Sequence, residues 1–300
     1  MPEATVIVPT YEHGPTLRHA VGSALRQTIS DLEVIVVGDG VTERTREVIE
    51  ELLEQDERVR FLDRPKSPGH GFVHRHEAVE GAASDRILYL SDDDIWFPEH
   101  AAVMCELLGD ADFAAGLGIS IGPEGPRFKQ PTDLSLPHFQ DLVRSRVTVF
   151  QLSAVGHTQQ SYRGLPHGWL VGDPDYKAFW AEFFEPPLRA ASAGLPTVLQ
   201  FTSPPRADMS LDARAAELES WEGALGRSTE RLELMEHLLA AELRRDAELT
   251  SEVATIKARR AEYKRRASQR KLARRKAGSA RPKRRAPKRK LAREPHDSSD

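Results

Sequence analysis

Apolar residues fall along this chain in two alternating rhythms, short unbroken runs and longer stretches with helical spacing. The runs are residues 6–8, 34–37, 59–62 and 87–90, and each gives way to turn residues. Between them Leu17, Val21, Ala24 and Leu25 share one helical face, as do Val48, Ile49, Leu52 and Leu53. Strands that lack polar alternation are buried on both faces, so the repetition predicts an α/β fold with a mostly parallel sheet covered by helices. Such sheets bind ligands at the carboxyl ends of their strands. Those ends carry Pro9-Thr10-Tyr11, Gly38-Asp39-Gly40 and Asp92-Asp93-Asp94.

The pattern then changes. Residues 116–170, rich in Gly, Pro, His and Gln, read as loops around a site, with one strand at 146–152. A helix is expected after Asp173-Pro174-Asp175, running through Tyr176, Phe179, Trp180, Phe183 and Phe184 toward Ala193, followed by a late strand at 195–201. Pro204-Pro205 closes the globular part. Beyond it Leu211, Leu218, Leu225, Leu232 and Leu239 recur every seven residues, which predicts an amphipathic helix over 206–256. Ala215, Glu222 and Thr229 interrupt the second seam position. The helix is therefore either a coiled coil, joining two copies through residues 211–239, or a single helix laid on the domain.

Charge separates the last part of the chain from the rest. The net charge of −4 conceals 19 Lys and Arg against one acid, Glu262, in residues 257–293, while residues 1–256 hold 23 basic and 42 acidic residues. Residues 257–300, poor in large apolar side chains, are expected to form a basic disordered tail. An anionic membrane surface, nucleic acid, or the acidic body itself could receive that charge; no aromatic residue follows Tyr263 to stack on bases. The single cysteine, Cys105, lies among Ala102, Val103, Leu107 and Leu108 and reads as a core thiol. The first residues lack the basic and apolar regions of a signal peptide and no run of about 18 apolar residues occurs, so a cytoplasmic protein is expected, peripheral to the membrane at most.

Three adjacent carboxylates raise one another's pKa unless a cation compensates, and a hard divalent ion bound through oxygens suits them. Strand alternation puts Asp92 and Asp94 on one side and Asp93 on the other. Asp39, between two glycines, allows close approach of a ligand to the backbone. No G-x-G-x-x-G, P-loop or H-E-x-x-H motif is present. His70, His74 and His76 lack the accompanying ligands of a zinc site and read as loop polar groups.

Taken in order, Val6-Ile-Val-Pro-Thr-Tyr11, the 34–40 strand ending in Gly-Asp-Gly, Arg75, and Ser91-Asp-Asp-Asp-Ile-Trp-Phe-Pro98 resemble the family 2 glycosyltransferases of the GT-A fold. The resemblance covers residues 4–105 well and 106–203 loosely. It implies a GT-A domain over 1–205, with a nucleotide-sugar-binding half at 1–105 and an acceptor half at 106–205. It further implies an inverting transfer from a nucleotide-diphosphate sugar, a UDP-sugar by family habit, to a hydroxyl of a glycan or lipid-linked acceptor. By the same resemblance Pro9, Thr10, Tyr11 and Asp39 would contact the nucleotide, and Arg75 would lie near the diphosphate. The acidic run would hold Mg²⁺ or Mn²⁺. Ser91 stands where the family has an aspartate, which moves the metal ligands to Asp93 and Asp94; Asp94 is shared with the alternation reading, and Asp92 completes the donor-side set. Asp173 is the candidate base, with Asp175 second, although Gly172 replaces the usual leading glutamate and Asp173 could instead cap the helix. On the acceptor side Trp169, His157 and His167 are the weaker candidates. The departures at Ser91 and Gly172 leave a rival, a GT-A-like scaffold that acts through its helical basic tail.

Overall fold

The computed structural model describes residues 1–129, 132–147, 149–171, 176–185, 188–201 and 206–279, with the backbone alone at 228 and 266–279. It divides into two compact units, Met1–Glu242 and Leu243–Asp300.

The first unit is built on β1 (Ala4–Thr10), β2 (Leu32–Gly38), β3 (Val59–Leu62) and β4 (Arg86–Tyr89), all parallel, as the apolar runs predict. Alternate residues of these strands enter different cores. Val6 and Val8 pack with Leu17, Val21, Ile49 and Leu52 from α1 (Gly14–Leu25) and α2 (Glu43–Gln55). Ile7 and Ile35 face the other way, toward Phe72 and Val79 of α3 (Phe72–Glu80) and the aromatic side of α7 (Tyr176–Phe184). Each buried Val, Leu or Ile contributes about 1.5–3 kcal/mol by leaving water, so burial of both faces explains why the strands tolerate no polar alternation.

The sheet then becomes mixed in β5 (Ile95–Trp96), β6 (Phe113–Gly122), β7 (Gly125–Phe128), β8 (Val155–Thr158) and β9 (Ala190–Phe201): β8 pairs antiparallel with β4 and β6, β7 with β6 and β5 with β9, while β6 and β9 run parallel. Its order is β3-β2-β1-β4-β8-β6-β9-β5, with β7 paired to β6. Here several expectations are corrected. Residues 116–170 are not mainly loops: they contain most of β6, all of β7 and β8, α5 (Pro137–Arg144) and α6 (Gln159–Arg163). Glycines 116, 118 and 122 made β6 look irregular, yet its floor is packed from neighbouring strands, and a bulge at Leu117 bends it. The strand expected at 146–152 is displaced to Val155–Thr158, because Arg146 adopts a positive φ of 60° and residues 152–154 form a 3-10 turn. The helix over the Phe/Trp segment stops at Phe184; Ala190 to Ala193 already belong to β9, so that strand starts five residues early.

After α4 (His100–Asp110), whose buried Cys105 is a core thiol pushed up to about 11 by desolvation, the last helices depart from the heptad expectation. The 206–256 segment is two helices, α8 (Leu211–Leu225) and α9 (Ser228–Ser279), broken at Gly226-Arg227. Leu218, Leu225 and Leu238 are buried against Ile95, Phe97, Ile119 and Phe201, whereas Leu232 and Leu239 are exposed. Within the leucine series, Leu218 and Leu225 therefore serve the domain's own core, whereas Leu232 and Leu239 do not. Glu222 pairs with Arg26 and His19, and Arg206 with Glu217, fixing α8 in place. Helix α9 continues to Ser279, so residues 257–279 are helical where disorder was expected; 280–300 lie outside the described residues. In the second unit the side chains described, as far as Arg265, are all exposed.

Candidate active site

A cavity of about 250 Å³ opens at the carboxyl ends of β1 and β2. Pro9, Thr10 and Tyr11 end β1, Asp39 follows β2, Arg75 projects from α3, and Asp92 follows β4; all line it. The expected donor-side residues are thus brought together, apart from Asp93 and Asp94, which are not among its lining.

Asp39 sits at the bottom, where its flanking turn requires glycine. Gly40 has φ of 73°, and a Cβ there would lie 2.7 Å from the Lys66 nitrogen; a Cβ at Gly71, φ 75°, would lie 3.3 Å from Asp39 Cβ. The Asp39 carboxylate accepts from the Ser67 amide at 2.6 Å and pairs with Lys66 Nζ at 2.9 Å. Burial would raise its pKa, but these partners overcome that and hold it below the usual aspartate value. Lys66, whose ammonium also lies 3.7 Å above the Tyr11 ring, was not anticipated. Nor was His70 on the same wall. Their only sequence signal is the Pro- and Gly-rich loop that follows β3.

Arg75 is half-buried, and its guanidinium stacks 5.1 Å from both the Phe72 and Trp169 rings. Its Nε has no hydrogen-bond partner among the described residues. Desolvation pulls its pKa down to about 10. A desolvated cation without an ion pair is costly, and an anion entering the cavity would relieve that cost.

The acidic run is divided by its surroundings. Asp92 faces the cavity and contacts His13 Nδ1 at 3.0 Å; the hydrogen bond that Asp92 accepts from the ring raises the His13 pKa. Asp93 is desolvated and close to Asp92, and its carboxyl is pushed up to about 6. Asp94, expected to be the common metal ligand, is instead only 2% exposed. One oxygen accepts from Ser153 Oγ at 2.5 Å and the other from the Phe201 amide at 2.9 Å. It ties β9 and the 3-10 turn to the end of β4, and its carboxyl, buried and beside Asp93, is raised well above the ordinary value. Ser91 donates its amide to Ser153 Oγ at 2.9 Å. A cation fits Asp92 and Asp93, whose mutual repulsion is compensated in part by His13 and by the more distant charges of Arg214 and Arg75; among the described residues no cluster of three His, Cys, Asp or Glu side chains adds to them. Magnesium-like ions accept so few protein ligands when phosphate and water supply the rest.

The acceptor-side candidates separate from the cavity. His157 is fully buried in β8, its Nδ1 3.0 Å from the Thr158 carbonyl, which only accepts, so that nitrogen carries the proton. Nε2 then accepts from Tyr89 Oη at 2.8 Å, and Tyr89 in turn accepts from Trp169 Nε1 at 2.9 Å. Burial lowers the His157 pKa to about 4. Both residues are core, and Trp169, stacked 3.9 Å from Phe179, also forms the shelf under Arg75. His167 is exposed and pairs with Glu182 at 2.9 Å. Asp173 and Asp175 lie outside the described residues.

A four-stranded parallel half followed by a mixed extension, with an acid-lipped cleft at the strand ends, is the architecture of a GT-A domain. The chain belongs to glycosyl transferase family 2, whose model matches residues 5–164. A β-1,3-glucosyltransferase of Campylobacter jejuni that acts on GalNAc(5)-diNAcBac-PP-undecaprenol is 32% identical over 95 residues, 31% of this chain and 30% of that protein. The chain spans about a third of the length of such curated relatives. Among solved structures, Staphylococcus aureus TarS with UDP-GlcNAc shares the fold at a TM-score of 0.51 and 16% identity, covering 67% of this chain and 59% of that one. The Pyrobaculum calidifontis mannosyltransferase PcManGT with GDP-Man and Mn²⁺ shares it at 0.50 and 15% identity, covering 80% of each.

Proposed function

We propose that the chain is an inverting glycosyltransferase that moves a sugar from a nucleotide-diphosphate donor, preferentially a UDP-sugar, to an acceptor hydroxyl. The observation that carries this reading is Arg75, a half-buried cation with a buried, unpartnered Nε and no ion pair among the described residues, on the wall of a cavity whose other walls hold Asp39 and Asp92. Asp39 accepts hydrogen bonds from the base, Lys66 and Tyr11 flank the nucleoside, and Arg75 receives the diphosphate, gaining the ion pair it lacks. Asp92 and Asp93 would hold a divalent cation, Mg²⁺ or Mn²⁺, and such an ion would supply positive charge for the departing diphosphate. An ionised Asp173, or Asp175, takes the proton of the acceptor hydroxyl as it attacks the anomeric carbon from the face opposite the leaving group. His13 holds the Asp92 carboxylate in position through its ring nitrogen.

The acceptor is a glycan or lipid-linked saccharide. That class is supported by the lipid-pyrophosphate substrate named for the Campylobacter relative and by the basic residues 257–293, which would hold the enzyme at an anionic membrane face. No helix among the described residues is long and apolar enough to cross a membrane. Cytoplasmic placement at that face is part of the same proposal.

Thermal shift with UDP, GDP and dTDP, each with and without Mn²⁺, tests the donor reading. UDP with Mn²⁺ should give the largest stabilisation, and Asp92→Asn or Asp93→Asn should remove the increment due to the metal. A chain that no nucleotide stabilises in either condition would refute the proposal.

A further inference from the structure

A second cavity, of about 420 Å³, lies beyond the acidic run from the donor cavity. Its position follows from the chain. Asp92 lines the first cavity, Asp94 is bonded to Ser153, and the neighbours Gln151 and Ala154 line the second. Gly116 and Gly118 form its bare floor where β6 bulges at Leu117. The absence of a side chain at Gly118 is needed, since a Cβ there would stand 2.7 Å from Gln151 Oε1. Bulges of this kind re-aim strands beside active sites.

Two polar groups in this cavity have no protein partner. Gln151 Oε1 is buried without a hydrogen bond among the described residues. Lys129 is half-buried on the opposite wall and makes no ion pair among the described residues; burial lowers its pKa, and the charge of Asp94 works against that. Leu142, Val147, Val149 and Phe150 give the cavity an apolar wall, and Thr132 beside them donates its hydroxyl to the Val149 carbonyl. An unpartnered acceptor, a desolvated cation and an apolar wall call for a ligand with hydroxyl donors, an anionic group and a carbon face. Neutral saccharides have the first and third of these but leave the ammonium unpaired.

We infer that this cavity is the acceptor site and that it selects an anionic acceptor, a saccharide or polyol carrying a carboxylate or phosphate ester, with Lys129 pairing the anion and Gln151 accepting a hydroxyl. The inference rests on the donor reading above. Lys129 is a specificity residue and takes no part in binding the nucleotide.

Isothermal titration of the full chain, saturated with UDP and Mn²⁺, tests it with a glucuronic-acid-terminated disaccharide, glycerol 3-phosphate and neutral cellobiose. At least one anionic probe should bind about tenfold or more tightly than cellobiose, about 1.4 kcal/mol. Preference for the first identifies a uronic acid acceptor and preference for the second a phosphate ester. Lys129→Gln should abolish the preference, Lys129→Arg should keep it, and both should bind UDP as the wild type does. Equal binding of charged and neutral probes, or a preference that survives Lys129→Gln, overturns the inference while leaving the donor reading standing. A wild-type chain that fails to bind UDP overturns the donor reading and this inference with it.

Discussion

Arg75 shows how far a single side chain departs from what its residue type predicts. Arginine is rarely buried without a carboxylate, and the neighbours that half-bury this one are the rings of Phe72 and Trp169. Arg75→Met should lower UDP affinity about 10- to 100-fold in titration calorimetry, the loss of charge-assisted hydrogen bonds of about 1.5–3 kcal/mol. The melting temperature of the free protein should stay level or rise, because an unpaired, half-buried charge has been removed. Unchanged UDP affinity would take the diphosphate away from Arg75. His157 makes the complementary case, a titratable group kept neutral. Its pKa, near 6.5 when unfolded, is about 4 when folded, so between these values the unfolded chain binds the extra proton and stability falls as pH falls. From pH 7 to pH 5 this one group should cost roughly 2 kcal/mol. In denaturant titrations at the two pH values, the stability gap between wild type and His157→Gln should therefore narrow by about that amount at pH 5; a constant gap would mean the histidine titrates normally. Sequence patterns reached Asp39 and Arg75 because each ends or follows a recognisable element. They misjudged His157 and Asp94, whose roles depend on Tyr89, Ser153 and Phe201, partners supplied from distant parts of the chain.

Among the elements, the parallel half was legible because every strand there is dominated by apolar residues. Strand β6 was not, because its glycines carry no hydrophobic signal and its burial comes from β8 and β9. Helix α8 was seen with two alternatives for its apolar face, because a seven-residue leucine repeat marks an apolar stripe without saying what covers it. In the fold that stripe closes the edge near β5, with Leu218 1% and Leu225 5% exposed. Leu218→Ala and Leu225→Ala should each destabilise the domain by about 2–4 kcal/mol through a cavity that the surrounding side chains fill only in part. On a domain of this size that lowers the melting temperature by roughly 4–16 °C. Exposed Leu232→Ala should change stability by less than about 0.5 kcal/mol. Calorimetry on the three variants separates the alternatives, for a coiled coil between copies would make all three leucines matter and the melting temperature depend on concentration.

At the scale of the molecule the dominant fact is the charge division, 23 basic and 42 acidic residues in 1–256 against 19 basic and one acidic in 257–293. An acidic catalytic body is repelled by an anionic surface, whereas clustered Lys and Arg each gain about 1 kcal/mol near such a surface. The basic segment would therefore decide whether the enzyme meets a lipid-linked acceptor. Full-length chain should co-sediment with phosphatidylserine vesicles, and a chain ending at residue 255 should not. Binding should fall by about tenfold or more between 0.1 and 0.5 M salt, as screening shortens the reach of the charges from about 10 Å to a few ångströms. UDP affinity should be equal in the two chains, since every residue lining the donor cavity precedes residue 93. Duplex DNA serves as the competing polyanion. Its binding would show the same salt slope, so the discriminating measurement is competition at equal phosphate concentration: vesicles should displace DNA from the full-length chain. Displacement in the opposite direction would make nucleic acid the partner of the tail, and equal vesicle binding by the two chains would remove residues 256–300 from any role at the membrane.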